Sequence, residues 1–295
     1  MKVTLPHLRE LKIAGTPIVM VTAYDLPTAR IVDSAGVDLV LVGDSAANTV
    51  LGHDPISTVR ATMDELVILT RAVSRGCEHA MVIGDLPFMS YQVSDEEGVR
   101  NAGRLVKEGG ADAVKLEGAG PSLDRIRAIV ASGIPVMGHL GLTPQTATIK
   151  GGHKAQGRQA EGARALFADA LAVQAAGCFG VVLEAVPPQV SQAISRRLDI
   201  VTIGIGSGAG TDGQVLVLHD MLGIRSSDGP QPRFVKHYAE VGDVMKGAIE
   251  RYATEVRGGE YPAAEHTYSM PPEEVEAFER AIGAGSIEEN ALADW

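Results

Sequence analysis

The sequence predicts an α/β protein: a single closed (β/α)8 barrel, or TIM barrel, with a short N-terminal helix and a C-terminal helical extension. Three observations predict it. Eight short aliphatic runs alternate with stretches that mostly show helical spacing, the pattern of parallel strands covered by helices. The chain has 295 residues, enough for a barrel of about 250 residues with additions, although length alone also allows two ordinary domains. Ionisable residues recur where the runs stop, and the carboxyl ends of parallel strands are where ligands sit.

Residues 4 to 15 carry Leu5, Leu8, Leu11 and Ile13 at amphipathic spacing and stop at Gly15, so a first helix is expected. Ile18 to Tyr24 is the first strand, followed by Asp25 and a helix from Pro27 to Ala35 that Gly36 closes. Leu39-Val40-Leu41-Val42 is an unbroken aliphatic strand leading into Gly43-Asp44-Ser45. Thr62 to Arg75 is helical, Ala80 to Gly84 is the third strand, and Asp85 follows it. Ser94 caps the next helix, with Glu97 at capping-box spacing. Ala113-Val114-Lys115-Leu116-Glu117 is the fourth strand, Ser122 to Ser132 a helix, and Pro135 to Leu140 the fifth strand, containing His139. Residues 143 to 159 form a long basic loop, and Ala160 to Ala176 an alanine-rich helix. Phe179 to Glu184, Ile200 to Gly206 and Val215 to Asp220 complete the strands, with a helix from Pro187 to Arg197 after the sixth. A loop over 226 to 232, a long helix over 234 to 257 and an acidic helix within 271 to 295 follow. The expected division is a catalytic barrel over 1–268 and an extension over 269–295.

Composition narrows the function classes. Hydrophobic residues make up 45%, so a large core forms. A net charge of -11 argues against a nucleic-acid surface. Cys77 and Cys178 are too few for a disulfide framework or a thiolate metal cluster and read as buried spectators. No apolar run approaches the ~18 residues of a membrane span. The N-terminus lacks a secretory apolar segment. A cytoplasmic enzyme with small-molecule substrates, no nucleic acid and no membrane partner is the expectation.

If all eight strands point one way, Asp44, Ser45, Asp85, Lys115, Glu117, His139 and Glu184 converge on one mouth. Helix capping explains one such acid, and Asp25 and Asp220 have about even odds of being caps on that preference. It does not explain four. Lys115 and Glu117 lie two apart, so both point to the same face of their strand. A charged pair on an interior face needs partners or a metal to offset its desolvation. Three carboxylates around one point, with no cysteine, suit a hard cation such as Mg²⁺. Asp44, Asp85 and Glu117 are the expected metal ligands. Such an ion polarises a carbonyl and stabilises an enolate. Lys115 adds a positive charge for a carboxylate or enolate oxygen, and Glu184 is the candidate general base. His139 reads either as a ligand-orienting donor or as a structural histidine. The glycines of Gly204 to Gly210 read as a tight turn with close backbone approach.

Several strings resemble the ketopantoate hydroxymethyltransferase family. They are Val42-Gly43-Asp44-Ser45, Asp85-Leu86-Pro87-Phe88-Met89, Lys115-Leu116-Glu117-Gly118, Gly138 to Gln145, Leu183 to Pro187, Gly204-Ile205-Gly206, Asp212-Gly213-Gln214 and Val217 to Asp220. The match runs in order from about residue 18 to 268. The resemblance implies a (β/α)8 barrel that transfers a hydroxymethyl unit from 5,10-methylenetetrahydrofolate to 3-methyl-2-oxobutanoate, giving 2-dehydropantoate for pantothenate and coenzyme A. It implies Mg²⁺ on Asp44 and Asp85, with Glu117 completing the shell, and the keto acid on Ser45 and Lys115 beside them. Glu184 would take the proton next to the carbonyl. It also implies a large homo-oligomer, commonly a decamer. Ser45-Ala46-Ala47-Asn48, the stretch after Asp54 and Ile68-Leu69 depart from the family pattern without removing a catalytic group. Lys150, His153, Lys154 and Arg158 read either as attraction for a polyglutamate tail or as a solvated loop. A metal-dependent barrel lyase or mutase acting on a 2-oxo acid without folate is the alternative. A non-catalytic barrel subunit is a third reading, and it predicts broken strand-end chemistry.

Overall fold

A computed structural model of the chain describes residues 2–53, 57–149, 151–224 and 231–283. The elements in order are α1 (Leu5–Ala14), β1 (Ile18–Thr22), α2 (Leu26–Ser34), β2 (Leu39–Val42), α3 (Ala46–Thr49), α4 (Met63–Ser74), β3 (Met81–Asp85) and α5 (Asp95–Lys107). Then come β4 (Ala113–Glu117), α6 (Ser122–Ala131), β5 (Val136–Gly141), α7 (Ala160–Ala175), β6 (Gly180–Glu184), α8 (Pro188–Arg197), β7 (Val201–Ile205), β8 (Gly213–Leu216), α9 (Leu218–Met221), α10 (Val241–Gly258) and α11 (Pro272–Gly283). Each strand pairs in parallel with the next and β8 returns to β1, closing the barrel the sequence predicts.

The strand pattern sorts side chains into two cores. Leu39 and Leu41, Met81 and Ile83, Ala113, Met137 and Val182 belong to the interior cluster. Their neighbours Val40 and Val42, Val82, Val114 and Leu116, and Val181 and Leu183 belong to the layer between sheet and helices. Period-2 alternation produces this split. Burial of each aliphatic side chain stabilises the barrel by roughly 1.5–3 kcal/mol. Leu8 of α1 joins the interior cluster beside the strand starts Ile18 and Val201, so the first helix stoppers the amino-terminal end. Lys12 fixes that stopper by donating to Asp212 Oδ2 at 2.7 Å and to the Ser195 carbonyl at 3.2 Å.

Local caps set the helix ends. Thr4, Asp25, Thr62 and Ser94 each accept from a backbone N–H of the first turn. Thr62 and Glu65 form a reciprocal capping box, whereas Ser94 makes its half by accepting from the Glu97 N–H. Asp25 is thus accounted for as the cap of α2.

Two expectations are corrected. The eighth strand is Gly213–Leu216, not 215–220. Gly213 pairs with both Ile18 and Ile203, and a Cβ there would lie 2.3 Å from the Ile18 carbonyl oxygen, so only glycine admits both neighbours. The Leu218 N–H then turns to Thr22 Oγ1 at 3.0 Å, and His219 and Asp220 fall in α9 rather than on a strand. The long helix starts at Val241 instead of 234, because the Tyr238 and Val241 N–H groups are bonded to the Met221 and Leu222 carbonyls. Ala46–Thr49 forms a helical turn after Ser45. Most of the expected loop over 226–232, and 284–295 of the final segment, lie outside the described residues.

The chain forms two compact units, Met1–Gly242 and Asp243–Trp295; the expected boundary at 268/269 falls inside the second. Within that unit Tyr261 stands between Tyr252 and His266, with ring centroids 5.5 and 5.1 Å away. No helix among the described residues is long and apolar enough to cross a membrane.

Candidate active site

Asp85 continues the inward parity of Met81 and Ile83, Lys115 and Glu117 that of Ala113, His139 that of Met137, and Glu184 that of Val182. The last inward residues of β3 to β6 are therefore charged or titratable, and they close the carboxyl end of the core. Asp44 and Ser45 follow β2 directly. Asp44, Asp85, Lys115, Glu117 and His139 are all at most 5% exposed, while Glu184 keeps 15% of its side chain open. That difference leaves Glu184 the accessible acid.

The contacts form one continuous group. Lys115 Nζ pairs with Asp85 Oδ2 at 2.8 Å, and the Asp44 backbone N–H donates to the same oxygen at 3.1 Å. His139 stands between two acids, with Nδ1 3.4 Å from Glu117 Oε1 and Nε2 3.2 Å from Glu184 Oε2. Those are ion-pair distances without hydrogen-bond alignment, since both Glu117 Oε1 and His139 Nε2 lack a hydrogen-bond partner. Ser45 Oγ shares a 2.7 Å hydrogen bond with Tyr24 OH.

Burial raises the Asp85 pKa to about 7, against the pull of Lys115 and with the help of Asp44. Burial also raises Glu117, against His139. It disfavours the Lys115 ammonium, but Asp85, Asp44 and Glu117 more than offset that and hold its pKa above the usual lysine value. For His139, burial and Lys115 act downward. Glu117 and Glu184 outweigh them and hold it at about 9, while Nδ1 also lies 3.4 Å from Lys115 Nζ.

Four acids, Asp44, Asp85, Glu117 and Glu184, thus surround two cations, Lys115 and His139, leaving two excess negative charges when all are ionised. One divalent cation balances that excess. Asp85 Oδ1 and Glu117 Oε1 are buried oxygens with no hydrogen-bond partner, which is what cation ligands look like before the cation arrives. Among the described residues, no three His, Cys, Asp or Glu side chains already stand in metal-holding geometry.

The frame behind Glu184 is rigid. Gly141 adopts φ +93°, and a Cβ there would lie 2.2 Å from the Glu184 carbonyl oxygen, which itself accepts from the Leu142 N–H at 2.8 Å. Ala185 then takes a left-handed φ of 50°, unusual for a residue other than glycine. Ser207, wholly buried, steadies that corner by donating to the Leu183 carbonyl at 2.6 Å and accepting from the Val186 N–H at 3.2 Å. The glycine-rich turn behaves as expected, since Gly208 has φ +76° and presses on Pro188 of α8.

The site also contains residues that charge patterning did not single out. Tyr24, Tyr91 and Gln145 are buried within it. Gln145 Nε2 donates to Asp44 Oδ2 at 3.1 Å and to the Leu86 carbonyl at 3.0 Å. Its own N–H donates to Glu117 Oε2 at 3.1 Å, and Tyr91 OH donates to Gln145 Oε1 at 2.9 Å. Gln145 ends one of the strings that resemble the family, whereas Tyr24 and Tyr91 carried no signal beyond lying after a strand. His153, Lys154 and Arg158 are exposed, and Lys150 lies outside the described residues. Cys77 and Cys178 are free and buried, away from the strand ends, with thiol pKa values raised by burial to about 11 and about 12.

Comparison with known proteins agrees with this arrangement. The family model for ketopantoate hydroxymethyltransferase matches residues 2–264. A 3-methyl-2-oxobutanoate hydroxymethyltransferase of Nitratidesulfovibrio vulgaris is 55% identical over 265 residues, covering 90% of this chain and 85% of its own. One from Acetivibrio thermocellus is 49% identical, covering 91% and 94%. Among solved structures, phosphonopyruvate hydrolase in complex with oxalate and Mg²⁺ superposes with a TM-score of 0.58 at 11% identity, covering 96% of this chain and all of that one. That likeness establishes the shared barrel.

Proposed function

Because the chain belongs to the ketopantoate hydroxymethyltransferase family, an enzyme family, we propose that it transfers a one-carbon unit from 5,10-methylenetetrahydrofolate to 3-methyl-2-oxobutanoate through an enolate, giving 2-dehydropantoate. The observation that carries the reading is the mouth itself: an accessible carboxylate opposite a buried, electron-rich acid cluster. Asp44 and Asp85 would hold Mg²⁺, with Glu117 reaching it through water. When bound, the ion supplies Lewis-acid polarisation of the keto oxygen and stabilises developing enolate charge. The same barrel accepts Mg²⁺ and oxalate in phosphonopyruvate hydrolase.

This chain's residues do the rest. Lys115 places a fixed positive charge beside Asp85 for the keto acid's oxygens, and the Ser45 hydroxyl, oriented by Tyr24, contributes a hydrogen bond. Glu184 removes the C3 proton. His139, with Nε2 3.2 Å from Glu184 Oε2, steadies the carboxylate that accepts it. The C3 carbon then forms a bond to the methylene carbon as that carbon's bond to one folate nitrogen breaks, water supplies the hydroxyl oxygen as its bond to the second nitrogen breaks, and tetrahydrofolate leaves with the proton taken from C3 and the one released by water on its two nitrogens. Exposed apolar residues on α10, among them Val244, Met245 and Ile249, support assembly as a homo-oligomer, decameric on the family resemblance. A cytoplasmic location fits two reduced, buried cysteines.

The purified chain should convert 3-methyl-2-oxobutanoate to 2-dehydropantoate only when both Mg²⁺ and 5,10-methylenetetrahydrofolate are present, read by mass spectrometry of the product. Cleavage or rearrangement of a 2-oxo acid without folate would replace this reading with that of a barrel lyase or mutase.

A further inference from the structure

We infer that Gln145 is a positioning residue for the transfer reaction: its side-chain amide holds the Asp44 carboxylate and its backbone N–H the Glu117 carboxylate, which fixes the two relative to each other. The inference rests on the metal reading above, because it concerns how that carboxylate pair is presented to the ion.

Gln145 sits in a short 3-10 turn, Pro144–Thr146, at the exit of β5 and is 4% exposed. Every polar atom it owns toward the mouth is used. Both Nε2 hydrogens have pure acceptors, Asp44 Oδ2 and the Leu86 carbonyl. Because neither acceptor can donate to an oxygen in its place, the amide has one orientation. Oε1 accepts from Tyr91 OH, and that phenol oxygen in turn accepts from the Glu117 N–H at 3.2 Å. The Gln145 N–H closes the circuit on Glu117 Oε2. One residue therefore ties together the loop after β2, the loop after β3 and the end of β4.

The consequence is selective. On each acid, one oxygen is engaged by Gln145, and on Glu117 the other, Oε1, is left without a hydrogen-bond partner. Outer partners of this kind orient metal-binding carboxylates, and their loss costs about 10–100-fold in metal affinity. A glutamate at 145 would fit the space. It would also set a carboxylate against Asp44 and a carbonyl, so size alone cannot replace the amide.

The test is calorimetric titration of Mg²⁺ alone into the full-length wild type and into the Gln145→Met, Gln145→Glu, Tyr91→Phe and Asp44→Asn variants, with near-ultraviolet circular dichroism as the check of folding. The Gln145 variants should bind Mg²⁺ about 10–100-fold more weakly, and kcat should recover as Mg²⁺ is raised to saturation. Tyr91→Phe keeps the Asp44 contact and should lose affinity in the same direction by less. A merely structural role would lower thermal stability and leave Mg²⁺ affinity unchanged. Wild-type Mg²⁺ affinity in folded Gln145 variants, with binding lost in Asp44→Asn, would overturn the inference and leave the metal reading standing. Wild-type affinity in Asp44→Asn would overturn both.

Discussion

Glu184 and Asp85 are both acids at the end of a strand, yet the proposed reaction gives them different duties. Glu184 keeps part of its side chain open, which suits the proposed base. Asp85 is sealed and paired with Lys115, which suits the proposed metal ligand. Replacing Glu184 by Gln keeps shape and removes basicity; turnover should fall by about 10²–10⁴ while calorimetry finds Mg²⁺ affinity retained. Turnover near wild type in that variant would remove Glu184 as the base. Replacing Lys115 by Met leaves a buried carboxylate without its counter-charge, a loss of about 3–5 kcal/mol that urea denaturation without metal would detect. An unchanged urea midpoint would show that the pair does not stabilise the mouth. These charged residues were legible in the sequence because an acid or lysine at an inward strand position has few bland explanations. Gln145, Tyr24 and Tyr91 were not, since a neutral polar residue after a strand looks the same whether it meets water or a buried carboxylate.

At the level of elements, the joints between strands and helices carry information that local pattern does not. Asp33 lies within α2. It is buried and accepts from the N–H groups of Glu78, His79 and Ala80 at 3.0, 3.0 and 2.7 Å, docking α2 on the start of β3. Burial acts to raise its pKa, but those three donors outweigh it and hold the value below the usual one. A folded value below the unfolded one means stability present above the unfolded value and lost as pH falls through the folded value. Asp33→Asn should therefore cost about 1–3 kcal/mol at neutral pH, and the gap to wild type should close in acid; urea midpoints across that range check both statements, and a gap independent of pH would contradict the ion's role. Gly141→Ala would drive a Cβ into the Glu184 carbonyl. It should lower turnover by about 10²-fold through misplacement of the base, with Mg²⁺ affinity preserved. The early start of β8 was equally hidden: Val215 to Leu218 reads as a strand by composition, and only the demand for glycine beside Ile18 moves it upstream.

Over the whole molecule, the parallel period of eight is what made the fold readable, and closure from β8 to β1 is what gathers groups separated by over a hundred residues in sequence, such as Asp44 and Gln145. The second unit was readable as two helices, but the sequence placed its boundary at 268/269, inside that unit, rather than at Gly242/Asp243. Sedimentation velocity should give a mass several times the 30.9 kDa of one chain, and a monomer at micromolar concentration would contradict the oligomer. In the proposed reaction the keto acid would lose its C3 proton to Glu184 before any folate takes part, with Mg²⁺ held by Asp44 and Asp85. Proton NMR of 3-methyl-2-oxobutanoate in deuterium oxide, with enzyme and Mg²⁺ but no folate, measures that step alone. The account predicts loss of the C3 proton signal with wild-type enzyme, and its retention with chelator or with Glu184→Gln. Retention of the signal with wild-type enzyme and saturating Mg²⁺, or exchange undiminished in Glu184→Gln, would contradict it.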